Sequence, residues 1–266
     1  NAQTHVKRIV AFAEGEICEF SDIKLNDIPA GQIAGISINH YYGTSDQIVD
    51  GIVGGANQSE RAQKVGSLRN VAYLAISVPR SAKVDINYNL TAVVKGRKIR
   101  VYKNKYEYEI KYSENPAWVM FDFLSCYNGL GLCINESGNI SETLISELFD
   151  LESFIESAAY CDELIEYKHT NENGEEVIDM VPRFTFNMIF DSQTSARTLI
   201  DEIYRSCRGG LFIKDGRLQF KIDKAEPVSR IFTAEDIIKG SETFQTIPKE
   251  EHYDILKCTY VSPDHE

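Results

Sequence analysis

Residues 181–224, VPRFTFNMIFDSQTSARTLIDEIYRSCRGGLFIKDGRLQFKIDK, leave this chain the least conformational freedom. Ala196, Leu199, Ile200, Ile203, Tyr204 and Cys207 recur at steps of three and four. On a helix they form one apolar stripe, with Arg197, Asp201, Glu202 and Arg205 on the wet side. Gly209 and Gly210 follow, and glycine readily takes the left-handed geometry that ends a helix. Leu211-Phe212-Ile213 and Leu218-Gln219-Phe220-Lys221-Ile222 then flank Lys214-Asp215-Gly216-Arg217. Asp-Gly between apolar runs specifies a tight hairpin, because both central residues need positive φ. Ahead of the helix, Phe184, Phe186, Met188 and Phe190 alternate with Arg183, Thr185, Asn187 and the one apolar exception, Ile189. That period of two predicts a strand, and Asp191 or Ser192 is placed to cap the helix. The unit reads as β-α-β-β, with the helix packed on the aromatic face of the sheet.

The chain before this unit changes character once. Residues 6–13, 17–25, 33–42, 71–79, 84–95, 98–102 and 106–112 read as strands, with Asn26-Asp27-Ile28-Pro29 as a turn, Gly96 as a bend and 103–105 as a further turn. The glycine-rich, polar run 43–66 reads as a long loop, mobile or shaped by a partner, and no Gly-Lys-Ser/Thr follows it to cradle a phosphate. From Ser113 the pattern becomes helical. Asn115 caps a helix with Pro116 at its first position, and Gly129 is placed to close it. Ser141 caps a second helix and Asp150 a third that ends over 162–166, and 168–176 reads as a polar loop. After the central unit, Thr233 caps a short turn of helix and 255–261 reads as a strand. Fold class is therefore α+β. The expected divisions are a β-rich region over residues 1–112, a helical insertion over 113–170 and an α+β region over 171–266.

Composition narrows function. A net charge of −12 provides no clustered basic surface against which nucleic-acid phosphates could be neutralised. No apolar run is long enough to span a bilayer. The six cysteines are scattered, which predicts free thiols folded under reducing conditions. The chain opens on Asn1 without Met and stops just after a strand-like run, and so reads as a segment of something longer.

Catalytic chemistry finds little support. Glu14 with Glu16, Asp122, and Asp162 with Glu163 are carboxylates that could serve as acid and base, but general acid–base work needs two groups held across a cleft with split pKa values. Adjacency among 40 acidic residues is not evidence of that. No serine sits in a Gly-x-Ser-x-Gly elbow. Cys126 and Cys133 are seven apart with no paired histidine, a poor zinc pattern, and His40 reads as a strand-face residue. Tyr41-Tyr42 and the tyrosines between 102 and 112 could stack sugars, but they fit a solvated strand face better. The expectation is no catalytic, cofactor-binding or metal-binding residue, no cofactor, and no enzyme.

The order of several short motifs resembles a known family. Asn89-Leu90-Thr91-Ala92-Val93-Val94-Lys95-Gly96-Arg97-Lys98, Asn115-Pro116-Ala117 with Tyr127-Asn128-Gly129-Leu130-Gly131, and Ala158-Ala159-Tyr160-Cys161-Asp162-Glu163 are similar to segments of the tip attachment protein J family of lambda-like siphophages and their prophage relatives. Pro182-Arg183-Phe184-Thr185-Phe186-Asn187, Asp215-Gly216-Arg217-Leu218 and Tyr260-Val261-Ser262-Pro263-Asp264 continue the order. Phe12-Ala13-Glu14-Gly15-Glu16-Ile17 and the run 23–28 resemble the family's opening strands.

The resemblance implies a virion structural protein at the tail tip, or baseplate hub, of a phage or prophage. Such a protein is made in the bacterial cytoplasm and then built into a trimeric ring of its own copies, beside other tail-tip and tail-tube proteins. It implies β-rich hub domains resembling tail-tube and baseplate-hub sandwiches, with DNA only passing through the lumen and a role supporting host attachment. It carries over no catalytic residue. Two rival readings belong to other classes. A tail-associated cell-wall hydrolase predicts convergent carboxylates or a Cys–His pair in a cleft, and a carbohydrate-binding module predicts exposed coplanar tyrosines.

Overall fold

The structure, a computed structural model, describes residues 5–80, 87–170, 174–190 and 193–241 together with 243, 246, 255 and 257. It falls into two compact units, Asn1–Asp223 and Lys224–Glu266. The described residues form five α-helices and twelve strands in small antiparallel sheets, an α+β arrangement.

The first unit contains two hydrophobic cores. One is built by β1 (His5–Glu14), β2 (Ile17–Leu25), β3 (Ile28–Pro29), β4 (Ser37–Tyr42), β5 (Val71–Pro79) and β6 (Leu90–Arg97). They pair as two three-stranded sheets, β1-β5-β4 and β3-β2-β6. Ile17, Phe20 and Leu25 from β2 meet Ala72, Leu74, Ile76 and Val78 from β5 in a shared core. Val71–Pro79 is apolar almost throughout, so it suits a strand covered on both faces. Its even-numbered residues enter this core, and Tyr73 points the other way, beneath residues 48–50. Asn26 and Asp27 adopt φ of 48° and 65° and turn β2 directly into β3, as a two-residue hairpin requires. In β1 the pairing shifts between Ala11 and Ala13, and the extra residue, Phe12, packs edge-on against Phe20 at 5.3 Å.

The second core begins where β6 ends. β7 (Ile99–Asn104) and β8 (Glu107–Lys111) form a hairpin, followed by α2 (Pro116–Ser125), α3 (Glu142–Leu148) and α4 (Leu151–Cys161). Then come the hairpin β9 (Leu164–Thr170) and β10 (Glu176–Pro182), α5 (Ala196–Cys207), and the hairpin β11 (Gly209–Lys214) and β12 (Arg217–Ile222). A run of aromatic contacts crosses this core. Tyr102 meets Phe121 at 5.4 Å, Phe121 meets Phe149 at 5.2 Å and Phe154 at 5.6 Å, and Phe154 stacks on Phe220 at 5.7 Å. Edge-on and offset rings at such spacing add attraction beyond their buried area.

Several expectations are corrected by this arrangement. Residues 184–190 form no strand. Phe184 and Phe186 do pack on the second core, but Met188, Ile189 and Phe190 are exposed. The alternation there reflects two anchored phenylalanines rather than a pleated ladder. The strands preceding α5 are instead β9 and β10; β9 occupies what reads in the sequence as a helix end and a polar loop, and β10 begins at that loop's last residue, Glu176. Asp191 and Ser192 lie outside the described residues; α5 is capped by Ser195, whose Oγ accepts from the Thr198 N–H at 3.1 Å. The helix closes on Arg208 in left-handed geometry, φ 55°, and Gly209 and Gly210 belong to β11. Gly209 is glycine for space, because a Cβ there would lie 2.6 Å from the Phe220 ring. The Asp215-Gly216 turn forms as read, with φ of 52° and 76°.

The first third is not all β. It holds α1 (Gln58–Val65), inside the stretch expected to be a loop. Gly96 lies within β6, and α2 closes at Cys126 rather than at Gly129. Asn115, Ser141 and Asp150 occupy the expected caps, but the Asp150 carboxylate accepts from the Gln219 side chain at 2.7 Å and makes no cap bond. In the second unit Thr233 caps a 3-10 turn, Ala234–Asp236. The strand read over 255–261 lies mostly outside the described residues, and Ile255 and Lys257 are not in one.

Candidate functional site

Residues 43–66 have the composition of a mobile loop and the hydrogen bonding of a fixed one. Gly43 (φ 85°) opens it and could not be any other residue, because a Cβ would fall 2.1 Å from the Gly15 carbonyl. Gln47 accepts from the Gly43 N–H at 2.9 Å and donates to the Val71 carbonyl at 2.7 Å, closing the loop's base. Asn57 caps α1, accepting from the Glu60 N–H at 3.0 Å. The helix then turns its long side chains back on the loop's backbone. Gln58 both accepts from and donates to Val49, at 2.8 and 3.0 Å, Arg61 donates to the Gly55 carbonyl at 3.2 Å, and Lys64 to that of Gly54 at 2.8 Å. The loop is shaped from within, by a short helix that local glycine content conceals.

Asp50 is the centre of this loop and is 4% exposed. It accepts from the Ile52 N–H at 2.6 Å, from Asn39 Nδ2 at 2.8 Å and from the Tyr41 hydroxyl at 2.9 Å. Its own N–H donates to the Tyr73 hydroxyl, which in turn donates to the Ile48 carbonyl, both at 3.1 Å. Tyr41 and Tyr73 stack at 4.4 Å with their planes 7° apart. Burial alone pushes the Asp50 carboxyl upward, but the three donors and the positive charge of Arg61 outweigh it and hold the group below the ordinary carboxylate range. Burial and the neighbouring Asp50 carboxylate push the Tyr41 hydroxyl up, and it stays a donor. The result is an ionised, donor-saturated carboxylate that ties a loop to β4 and β5. Sequence reasoning does not single out Asp50; the signal that could find it is its N-cap position before Gly51-Ile52-Val53.

A second polar cluster joins the two cores. Arg97, the last residue of β6, pairs with Asp122 of α2 and donates to Cys126 Sγ at 2.9 Å. Its aliphatic stem passes Gly15, where a Cβ would meet it at 3.1 Å. Burial raises the Asp122 carboxyl more than Arg97 lowers it, and burial together with Asp122 raises the Cys126 thiol. That thiol is therefore held protonated, a poor nucleophile.

Two of the other carboxylates weighed in the sequence are tied into ion pairs. Glu16 pairs with Lys98 at 2.5 Å, and Glu163 pairs with Arg183 at 2.8 Å. Cys133 is buried in the second core, where burial pushes its thiol up to about 11, and burial pushes Cys161 up to about 12. Five cysteines, at 18, 126, 133, 161 and 207, are free; Cys258 lies outside the described residues. His40 is on β4 near Phe20 and Tyr42. Among the described residues no group of three or more His, Cys, Asp or Glu could hold a metal ion.

The tyrosines from 102 to 112 differ in exposure: Tyr106, in the turn between β7 and β8, is exposed, and Tyr108 and Tyr112 are half-buried. Tyr102 is buried, tilted 49° from Tyr108, and Arg100 lies over the Tyr108 ring at 4.4 Å. A sugar-stacking platform needs exposed coplanar rings, and Tyr102 and Tyr108 are tilted against each other and packed on the second core. No helix among the described residues is long and apolar enough to cross a membrane.

What stays open is strand edge and apolar surface. Among the described residues the three hairpins of the second core are each two-stranded sheets, β12 gaining a single bridge from Leu218 to Phe149. Leu164, Ile178 and Met180 on β9 and β10, and Phe212 and Ile213 on β11, are exposed. An unpaired edge beside exposed apolar side chains is a template for another chain.

No protein-family model matches the chain. Over 149 residues, 56% of its length, it is 26% identical to the tip attachment protein J of Escherichia phage SECphi27. The matched stretch is 11% of that relative, so the chain spans about a tenth of the curated protein it resembles. The chain is thus a distant relative of one portion of a phage tail protein.

Proposed function

We propose that this chain is a structural segment of a phage or prophage tail tip, built into a ring of three copies at the distal end of the tail and joined there to other tail proteins. The observation that carries the reading is the similarity to a phage tip attachment protein, in a chain whose own polar clusters serve its fold. Asp50 is saturated by donors, Asp122 is paired with Arg97, and the buried thiols are protonated. Each cluster fixes one piece of scaffold against another, and no reaction is run on it. In this reading the two small sheets around the first core form the hub sandwich and carry the ring contacts. The net charge of −12 suits a lumen through which DNA slides without sticking. In this setting the chain supports host attachment.

Gold-labelled antibody raised against residues 5–223, applied to particles carrying the chain, checks the reading. Label at the distal end of the tail is expected. Label on the capsid, or its absence from tails, overturns it. Release of soluble fragments from purified peptidoglycan by the chain alone would instead support the hydrolase.

A further inference from the structure

The hairpin β9–β10 leaves one edge whose sequence fits itself. Its register runs from Leu164 opposite Pro182 to Thr170 opposite Glu176. One step before it, the Arg183 N–H donates to the Glu163 carbonyl at 2.9 Å, which makes that pair a hydrogen-bonded one. Hydrogen-bonded pairs alternate along an antiparallel ladder, so Ile165, Tyr167 and His169 bond inward to β10. The parity is consistent with Pro182, which has no N–H and falls at a non-bonded position. It follows that Leu164, Glu166, Lys168 and Thr170 turn their N–H and C=O groups outward, where no described strand or loop meets them.

We propose that two copies of the free chain pair through this edge, β9 against β9, about a two-fold axis at Tyr167. In that register Glu166 lies opposite Lys168 of the second copy, twice over. Leu164 faces Thr170, Ile165 faces His169, and Tyr167 faces its own counterpart. The outward residues 164, 166, 168 and 170 are then the hydrogen-bonded pairs, as the parity demands, and the tyrosines meet at the close, non-bonded position. Sliding the register by two sets Glu166 against Glu166 or Lys168 against Lys168, which like-charge repulsion disfavours. The β10 edge is the worse candidate, because the same symmetric pairing there opposes Asp179 to Asp179 and uses Pro182 at a donor position. The product is a four-stranded sheet, β10-β9-β9-β10, in place of two hairpins that are each marginal alone.

This contact goes beyond the tail reading and is not the ring contact, since a two-fold axis joins copies pointing in opposite directions. It covers an aggregation-prone edge in the chain before assembly. Sedimentation velocity of the chain across a concentration series tests it, using Glu166→Lys, Lys168→Glu and the double exchange. A dimer is expected for the parent chain, weakened about tenfold by either single change and restored by the double change. Circular dichroism checks that each variant is folded. Overturning results are a chain monomeric at every concentration, a dimer indifferent to the single changes, or a double exchange that is folded but does not recover. A trimer from the parent chain also overturns this pairing, while leaving the ring reading intact. Loss of tail labelling with the charge-exchange result intact sinks the ring reading alone.

Discussion

Asp50 and Gly209 show how much rests on single residues here. The Asp50 carboxyl titrates lower in the folded protein than in the unfolded chain, where it sits at about 3.9. A depressed carboxyl contributes stability that is present above the unfolded value and lost as pH falls through the folded one. Asp50→Asn is expected to cost about 1.5–3 kcal/mol at pH 7, the worth of hydrogen bonds to a charged group at a buried site. The gap between parent and variant should narrow below about pH 4, because acid removes the same charge from the parent. Urea midpoints at pH 7 and pH 3 check both statements. Asp50 could not be picked out from the sequence, because its partners Asn39, Tyr41 and Tyr73 come from two strands that only the sheet brings together.

At the scale of elements, the hairpin β11–β12 separates two adjacent glycines that look alike in the sequence. A Cβ at Gly209 would lie 2.6 Å from the Phe220 ring and 2.9 Å from Cys207 Sγ, both fully buried, so nothing can give way cheaply. At Gly210 the nearest neighbour is the ring of Phe212 at 3.2 Å, which is exposed and free to move. Gly209→Ala is therefore expected to destabilise by about 1–3 kcal/mol, as overpacking does, and Gly210→Ala to stay within about 0.5 kcal/mol. Chemical denaturation of the two variants against the parent decides it. Elements with local signatures were legible. The stripe of α5, the Asn115-Pro116 start of α2 and the Asp215-Gly216 turn each state their geometry within a few residues. β9 and β10 were not. β9 crosses what reads as a helix end and a loop crowded with charged and polar residues, and only the cross-strand register makes it and β10 a hairpin.

For the whole molecule, both hydrophobic cores are complete by Ile222, and the first compact unit ends at Asp223. A chain stopped after Asp223 should therefore still unfold in one cooperative transition, read by near-ultraviolet circular dichroism in urea. A gradual, sloping loss of signal would show that the second unit is needed to hold the first. From sequence alone followed what depends on neighbours a few residues apart: the amphipathic stripe, the caps, the tight turns, and an α+β class with strands ahead of helices. The motif order also pointed to a phage tail protein, and the distant relative agrees. Tertiary structure decided the rest. It showed that the glycine-rich stretch is held by side chains reaching back from α1, that Arg97 fastens one core to the next, and that no strand among the described residues pairs with the outer edge of β9. Each of those depends on groups far apart along the chain, where no local periodicity can record the contact.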